Sequence, residues 1–196
     1  MRDLRFFGLV SALGLFAFVL PSRPAHAADY TLSQGLLPSQ AFQYEIRGGV
    51  FAHDPFSPEK GSADINAEFL AKLPFAAPSG AWSFLMPRVH VGGMLNTAGR
   101  TSHVYAGFTW TYDITRAIFA EASFGGAFHN GYTGDVPRYH ENSLGCSPLF
   151  RESATLGYRL TENWSVMATI EHMSNAGLCK QNRGLTNVGA RIGYRF

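Results

Sequence analysis

Along most of this chain apolar and polar residues alternate at every second position, the period of a strand with one buried face rather than the 3.6 of a helix. In residues 42–50 one face reads Phe42, Tyr44, Ile46, Gly48, Val50 and the other Gln43, Glu45, Arg47, Gly49. In residues 103–114 Val104, Ala106, Phe108, Trp110, Tyr112 and Ile114 oppose His103, Tyr105, Gly107, Thr109, Thr111 and Asp113. Residues 116–128 repeat the scheme through Ile118, Ala120, Ala122, Phe124 and Phe128, although Phe119 falls on the polar face. Residues 149–160, 163–175 and 186–196 continue it. Residues 62–71 and 82–95 are weaker candidates, the second interrupted by Pro87. The pattern predicts an all-β chain of about eight antiparallel strands, each about ten residues long, near the length a tilted strand needs to cross a bilayer.

The connections alternate in length. Residues 53–61, 96–101, 129–148 and 176–185 are loops, whereas 113–115 and 161–163 are tight turns. Residues 72–81, with Pro74 and Pro78, form a long connection where a short one is expected. With both chain ends on the periplasmic side, this is the loop pattern of an outer-membrane barrel. A soluble β-sandwich or lipocalin-like barrel would show the same alternation with its apolar row turned inward, so periodicity alone does not separate the two.

Three features favour the membrane. Residues 1–27 read as a secretory signal peptide: Arg2 and Arg5 precede an apolar run at 6–20, and Ala25-His26-Ala27 forms a small-x-small cleavage site. That leaves 28–196 as a single barrel domain. The second feature is the loop asymmetry. The third is the last strand, which places Val188, Ala190, Ile192, Tyr194 and Phe196 on one face; an ending on Phe resembles the assembly signal read by the barrel assembly machinery. The expectation is therefore an eight-stranded antiparallel transmembrane β-barrel in the bacterial outer membrane. Charged residues are only 15%, against about 25% in soluble domains, which agrees with it. A net charge of +2 with no basic stripe gives no reason to expect a nucleic-acid partner.

If the apolar rows face lipid, Glu45, Arg47, Glu121, Arg151, Arg159, Glu171, Arg191 and Arg195 face the lumen. Eight strands leave an interior that side chains just fill. Paired charges would plug it, so a pore is not expected.

Candidate chemistry lies at the end of the seventh strand. His172 and Ser174 stand two apart, which puts both side chains on one face about 6.5–7 Å apart at Cα. A serine hydroxyl is a weak nucleophile until a neighbouring base takes its proton. The row that they extend, Trp164, Val166, Ala168 and Ile170, is apolar. Two polar groups thus stand at outer-leaflet level on a lipid-facing wall.

The stretch His172-x-Ser174-Asn175-Ala176-Gly177-Leu178, followed by Asn182-x-Gly184-Leu185, resembles the lipid A 3-O-deacylase family (PagL). The resemblance implies an eight-stranded barrel that hydrolyses the ester-linked 3-hydroxyacyl chain at position 3 of lipid A. Ser174 is then the nucleophile and His172 the general base, while Asn175 and Asn182 match the motif's asparagines. An amide N–H there would help to stabilise the oxyanion, although Asn beside Gly is also ordinary turn chemistry. The implied partners are lipopolysaccharide, through its lipid A, and outer-membrane lipids. No cofactor is expected, and oligomeric state is open, a homodimer included.

One position departs from the family. Its triad Glu directly follows the Gly-Leu pair, and here that place holds Thr186. Glu152, on the sixth strand, has the outward parity to stand opposite Ile170 or His172 and is a substitute acid; its alternative is a headgroup-level charge. Glu171 faces the lumen. The competing function is a non-enzymatic barrel, structural or adhesive, derived from such an enzyme. Cys146 and Cys179 fall in the two loops flanking the site, either bridged or as free thiols. No His or Cys cluster has metal-ligand spacing, and His129 and His140 are expected to be solvated.

Overall fold

The computed structural model describes residues 43–74, 85–136 and 138–196. The signal-peptide expectation for 1–27, Phe42 and most of the 72–81 connection lie outside the described residues. Eight strands follow one another: β1 (Tyr44–Ala52), β2 (Ala63–Lys72), β3 (Arg88–Asn96), β4 (His103–Asp113), β5 (Ile118–His129), β6 (Leu149–Arg159), β7 (Trp164–Ser174) and β8 (Leu185–Arg195). The third begins just after Pro87, which lacks the N–H that a central strand position needs.

Each strand pairs antiparallel with the next, and β8 pairs back onto β1, so the sheet closes into a barrel without an edge. At the seam Tyr44 and Phe196 exchange two backbone hydrogen bonds of 3.0 Å each, and their rings lie 5.7 Å apart. Trp164 and Tyr194 add a second aromatic pair at that end, 4.8 Å between centroids. Residues 53–62, 97–102, 130–148 and 175–184 connect strands at the opposite end, called here the loop end, which faces outward in outer-membrane barrels.

Burial decides which face is which. Ile46, Val50, Val91, Leu95, Val104, Phe128, Leu156 and Ile192 are exposed on the outer wall, while all eight charges assigned above to the lumen are buried. Contiguous apolar surface on this scale is foreign to a soluble monomer. The apolar rows therefore face lipid, and the soluble-barrel alternative is set aside.

Inside, the charges pair. Arg47 meets Glu45 at 2.7 Å, Glu121 at 2.8 Å and Glu68 at 3.3 Å. Arg88 bridges Glu45 at 2.5 Å and Glu121 at 2.7 Å, and Arg191 reaches Glu68 at 3.0 Å. Nearer the loop end Arg151 pairs with Glu171 at 2.5 Å and stacks over the Tyr105 ring at 3.6 Å. Phe119, the irregular residue of the fifth strand, turns inward: its ring lies against Gly157, where a Cβ would come within 2.1 Å, and under the Arg159 guanidinium.

Removing one member of a buried pair leaves the other charge without compensation, at a cost of about 3–5 kcal/mol. Glu171→Ala should therefore lower the unfolding free energy of the folded, heat-modifiable form, read from urea titration, by an amount in this range. Replacing Arg151 and Glu171 together with Met and Leu should recover most of the loss.

Candidate active site

Strand β7 alternates Glu171 inward, His172 outward, Met173 inward and Ser174 outward, and its register fixes the neighbours of each. His172 is paired with Glu152 of β6 on one side and with Thr186 of β8 on the other, while Ser174 faces Phe150. Directly opposed residues stand about 4.5–5.5 Å apart at Cα. Glu152, His172, Ser174 and Thr186 thus form one half-buried polar patch near the loop end of an apolar wall.

The imidazole is oriented by Thr186: Nδ1 lies 2.8 Å from Thr186 Oγ1. That bond leaves Nε2 for the side of the ring away from Thr186. Gly184, at φ +73°, packs against the same ring, and a Cβ there would come within 2.7 Å of Cε1 and 3.1 Å of Nε2. Only a residue without a side chain lets the ring settle there, and only glycine takes that backbone angle at little cost. Glu152 stands across from His172, as its parity predicts, but Nδ1 turns to Thr186. Glu152 has no hydrogen-bond partner among the described residues.

The loop after Ser174 is built on Asn175. Its Oδ1 accepts from the backbone N–H of Gly177 at 2.9 Å and of Cys179 at 3.4 Å, and its Nδ2 donates to the carbonyls of Leu144 at 2.9 Å and Gln181 at 2.5 Å. The carboxamide is buried and spent on the loop. The Asn175 backbone N–H donates to Asn182 Oδ1 at 2.9 Å, so Asn182 fixes the peptide that follows Ser174. Ala176 comes next in a left-handed conformation, φ 54°.

A disulfide joins Cys146 to Cys179, Cα atoms 6.1 Å apart, and ties loop 130–148 to loop 175–184. Arg183 N–H also donates to Ser143 O at 3.2 Å. His129 is half-buried and more firmly held than expected. Its Nδ1 accepts from Gly131 N–H at 3.1 Å, which leaves Nε2–H to donate to Cys146 O at 2.9 Å, so the ring braces the long loop. His140 stays exposed, with Nδ1 3.3 Å from Pro58 O.

Sequence reasoning missed the loop after β1. His53 is clasped by Asp64 on Nδ1 and Glu59 on Nε2, 2.9 Å each. Glu59 also accepts from Asn142 N–H at 2.8 Å and Thr101 Oγ1 at 3.1 Å. Burial works against the charge on His53, but the hydrogen bonds and charges of Asp64 and Glu59 prevail and raise it to about 9. Burial likewise opposes ionisation of Glu59, yet its hydrogen bonds hold it below the usual carboxylate range. Next to this cluster Asp54 Oδ1 accepts from Thr186 N–H at 3.1 Å. Nothing in the alternation signals these contacts, because they join residues from 6 to 132 positions apart across the mouth of the barrel.

Chemically, the patch holds a hydroxyl beside an oriented imidazole. Among the described residues no three His, Cys, Asp or Glu side chains come together as metal ligands.

The family model described as lipid A 3-O-deacylase (PagL) matches residues 67–195. Among solved structures, the crystal structure of the outer membrane enzyme PagL is similar at 18% identity with a TM-score of 0.59, covering 78% of this chain and 99% of that one. A de novo designed transmembrane β-barrel is similar at 13% identity with a TM-score of 0.50, covering 79% of this chain and 95% of that one. No curated protein matches the chain by sequence.

The raised His53 sets a pH limit on the loop cluster. The stability it contributes is complete below about 6.5, the unfolded value, and is lost as pH rises through about 9. Hydrogen exchange of the 53–62 loop, corrected for intrinsic rates, should therefore be faster at pH 10 than at pH 7. His53→Gln, which carries no titrating ring, should abolish that difference.

Proposed function

The chain belongs to the lipid A 3-O-deacylase (PagL) family, and from that premise we propose that it removes the 3-hydroxyacyl chain at position 3 of lipid A in the outer leaflet of the outer membrane. Ser174 is the nucleophile and His172 the general base. The observation that carries this reading is the Nδ1 bond to Thr186, which leaves Nε2 for a hydroxyl on the same outward row.

In the first step Nε2 takes the Ser174 proton as Oγ attacks the ester carbonyl. The resulting oxyanion needs preorganised N–H donors. The Asn175 carboxamide and backbone N–H are both engaged, so the role falls to the Ala176 N–H, the next along the chain and without a partner among the described residues. Asn175 and Asn182 serve by shaping the turn that presents it. Collapse expels the sugar 3-oxygen, which takes the proton from the imidazolium. Water, deprotonated by His172, then attacks the acyl-serine; the Oγ–acyl bond breaks, Oγ takes the proton back from the imidazolium, and a hydroxy fatty acid leaves.

The acyl chain follows the wall below the site, where Ile170, Ala168 and Val166 continue the row of Ser174. A substrate bound there never enters the plugged lumen.

Thr186 orients the ring without a charge to stabilise imidazolium. Disabling the triad carboxylate in serine proteases costs on the order of 10⁴ in rate, so this enzyme is a slow one. Glu152 supplies a carboxylate one strand away, facing the ring without bonding it. The second reading, a barrel that has lost the activity, rests on the same neutral Thr186.

Mass spectrometry of lipid A decides between them. Cells producing the wild type should lose one hydroxyacyl chain, and cells producing Ser174→Ala should not; identical lipid A in both would leave the non-enzymatic barrel.

The orienting group is tested separately. Thr186→Glu should raise the rate about tenfold or more, and Thr186→Val should lower it by about the same factor. Glu152→Gln should reduce hydrolysis sharply, and unchanged turnover would remove Glu152 from the site.

A further inference from the structure

The buried carboxylate nearest the dyad in its bonding network comes from neither neighbouring strand. We propose that Asp54, on the loop after β1, is a positioning residue that acts through Thr186 and supplies the negative charge that the His172–Thr186 pair lacks. The inference rests on the deacylase reading above.

Thr186 is a pivot with two bonds. Its Oγ1 holds His172 Nδ1 at 2.8 Å, and its backbone N–H donates to Asp54 Oδ1 at 3.1 Å. A second path closes the circuit. Asn142 Nδ2 donates to the other oxygen of Asp54 and, at 3.2 Å, to the carbonyl of Gly184, the residue packed against the His172 ring. Asp54, Asn142, Gly184, His172 and Thr186 therefore form one closed ring of contacts, and no member shifts without the others.

The charge itself is unbalanced. Asp54 is only 4% exposed and makes no ion pair with a described Lys, Arg or His. The adjacent His53 is spent between Asp64 and Glu59. A buried carboxylate held by neutral donors favours positive charge nearby, and the imidazole that becomes imidazolium during the reaction lies just beyond Thr186. The other charged groups around that ring are Glu152, across from it on β6, and Arg183, next to Gly184; β8 presents none beside it.

Asp54 is also held in an unusual backbone conformation, φ 36°, with its N–H donated to Asn187 Oδ1 at 3.0 Å. Such conformations cost energy and persist where surrounding contacts over-determine them. Here the contacts run to β8 and to the long loop, and they aim the carboxylate at the base of Thr186.

A double-mutant cycle in the full-length protein, reconstituted with lipid A, tests the proposal. Asp54→Asn keeps an acceptor for Thr186 N–H, and Asn142, whose Oδ1 has no partner in this structure, can turn to accept from it at the expense of its bond to Gly184 O, a loss common to both backgrounds below. In the wild-type background the substitution should lower kcat about tenfold, leave KM within about threefold, and move the acidic limb of the pH–rate profile to lower pH. In a Thr186→Glu background, where a carboxylate meets the imidazole directly, Asp54→Asn should cost less than about twofold. Equal losses in the two backgrounds would make Asp54 a loop buckle only and overturn the proposal.

A readout independent of turnover separates this proposal from the deacylase reading. The ¹⁵N signals of the His172 imidazole, followed against pH, should titrate lower in Asp54→Asn than in the wild type by up to about one unit. A shift without any deacylation would sustain the coupling and sink the deacylase reading; an unmoved midpoint would sink the coupling whatever the activity. Should Asp54→Asn fail to give a heat-modifiable barrel, Asp54→Ser, which keeps an acceptor and removes the charge, is read in the same way.

Discussion

Arg47 and the carboxylates around it are the interaction on which the rest of this molecule depends. Glu45, Glu68 and Glu121 converge on one guanidinium, Arg88 ties two of them together, and Arg191 holds the third. Charges so deep in a barrel are tolerable only as a fully paired set, because each one stranded costs several kcal/mol. The set fills the interior of an eight-stranded barrel, and in doing so removes the lumen as a place for function. What remains for chemistry is the outer wall and the loop end.

The outer wall meets lipid, and a polar group there has to justify its place. Glu152, His172, Ser174 and Thr186 gather where three adjacent strands approach the loop end. The loops above them are not slack. The Cys146–Cys179 bond, the Asn175 carboxamide and the His53 clasp knit three loops over the mouth of the barrel. A site formed on a wall, with no cleft to enclose it, gains its rigidity from that canopy.

Much of this was legible in the sequence, for a physical reason. Period-two alternation reports the pleat directly, so the strands, the lumen charges and the outward parity of Glu152, His172, Ser174 and Thr186 could all be read along the chain. The motif from His172 to Leu185 pointed to the family. The loop contacts were not legible. Asp54 in a His-Asp-Pro turn looks like any loop carboxylate until β1 and β8 are brought side by side by closure of the barrel. For Asn175 the sequence left oxyanion donor and turn residue equally open, because a short amide serves either purpose; in the fold its carboxamide bonds the loop around it. Phe119 broke the alternation for a reason visible only in three dimensions, the empty space over Gly157.

Strand β7 holds the two economies together. Glu171 points into the charged interior and His172 points out beside Thr186, on consecutive residues. A slip of one position in pairing exchanges the two faces of a strand. It would thrust a carboxylate into hydrocarbon, push an imidazole among arginines, and leave Ser174 facing inward. A barrel that closes in the wrong register therefore cannot survive as a stable but silent copy. Folding fidelity and the integrity of the patch are inspected by the same event, and a chain that passes one has passed the other.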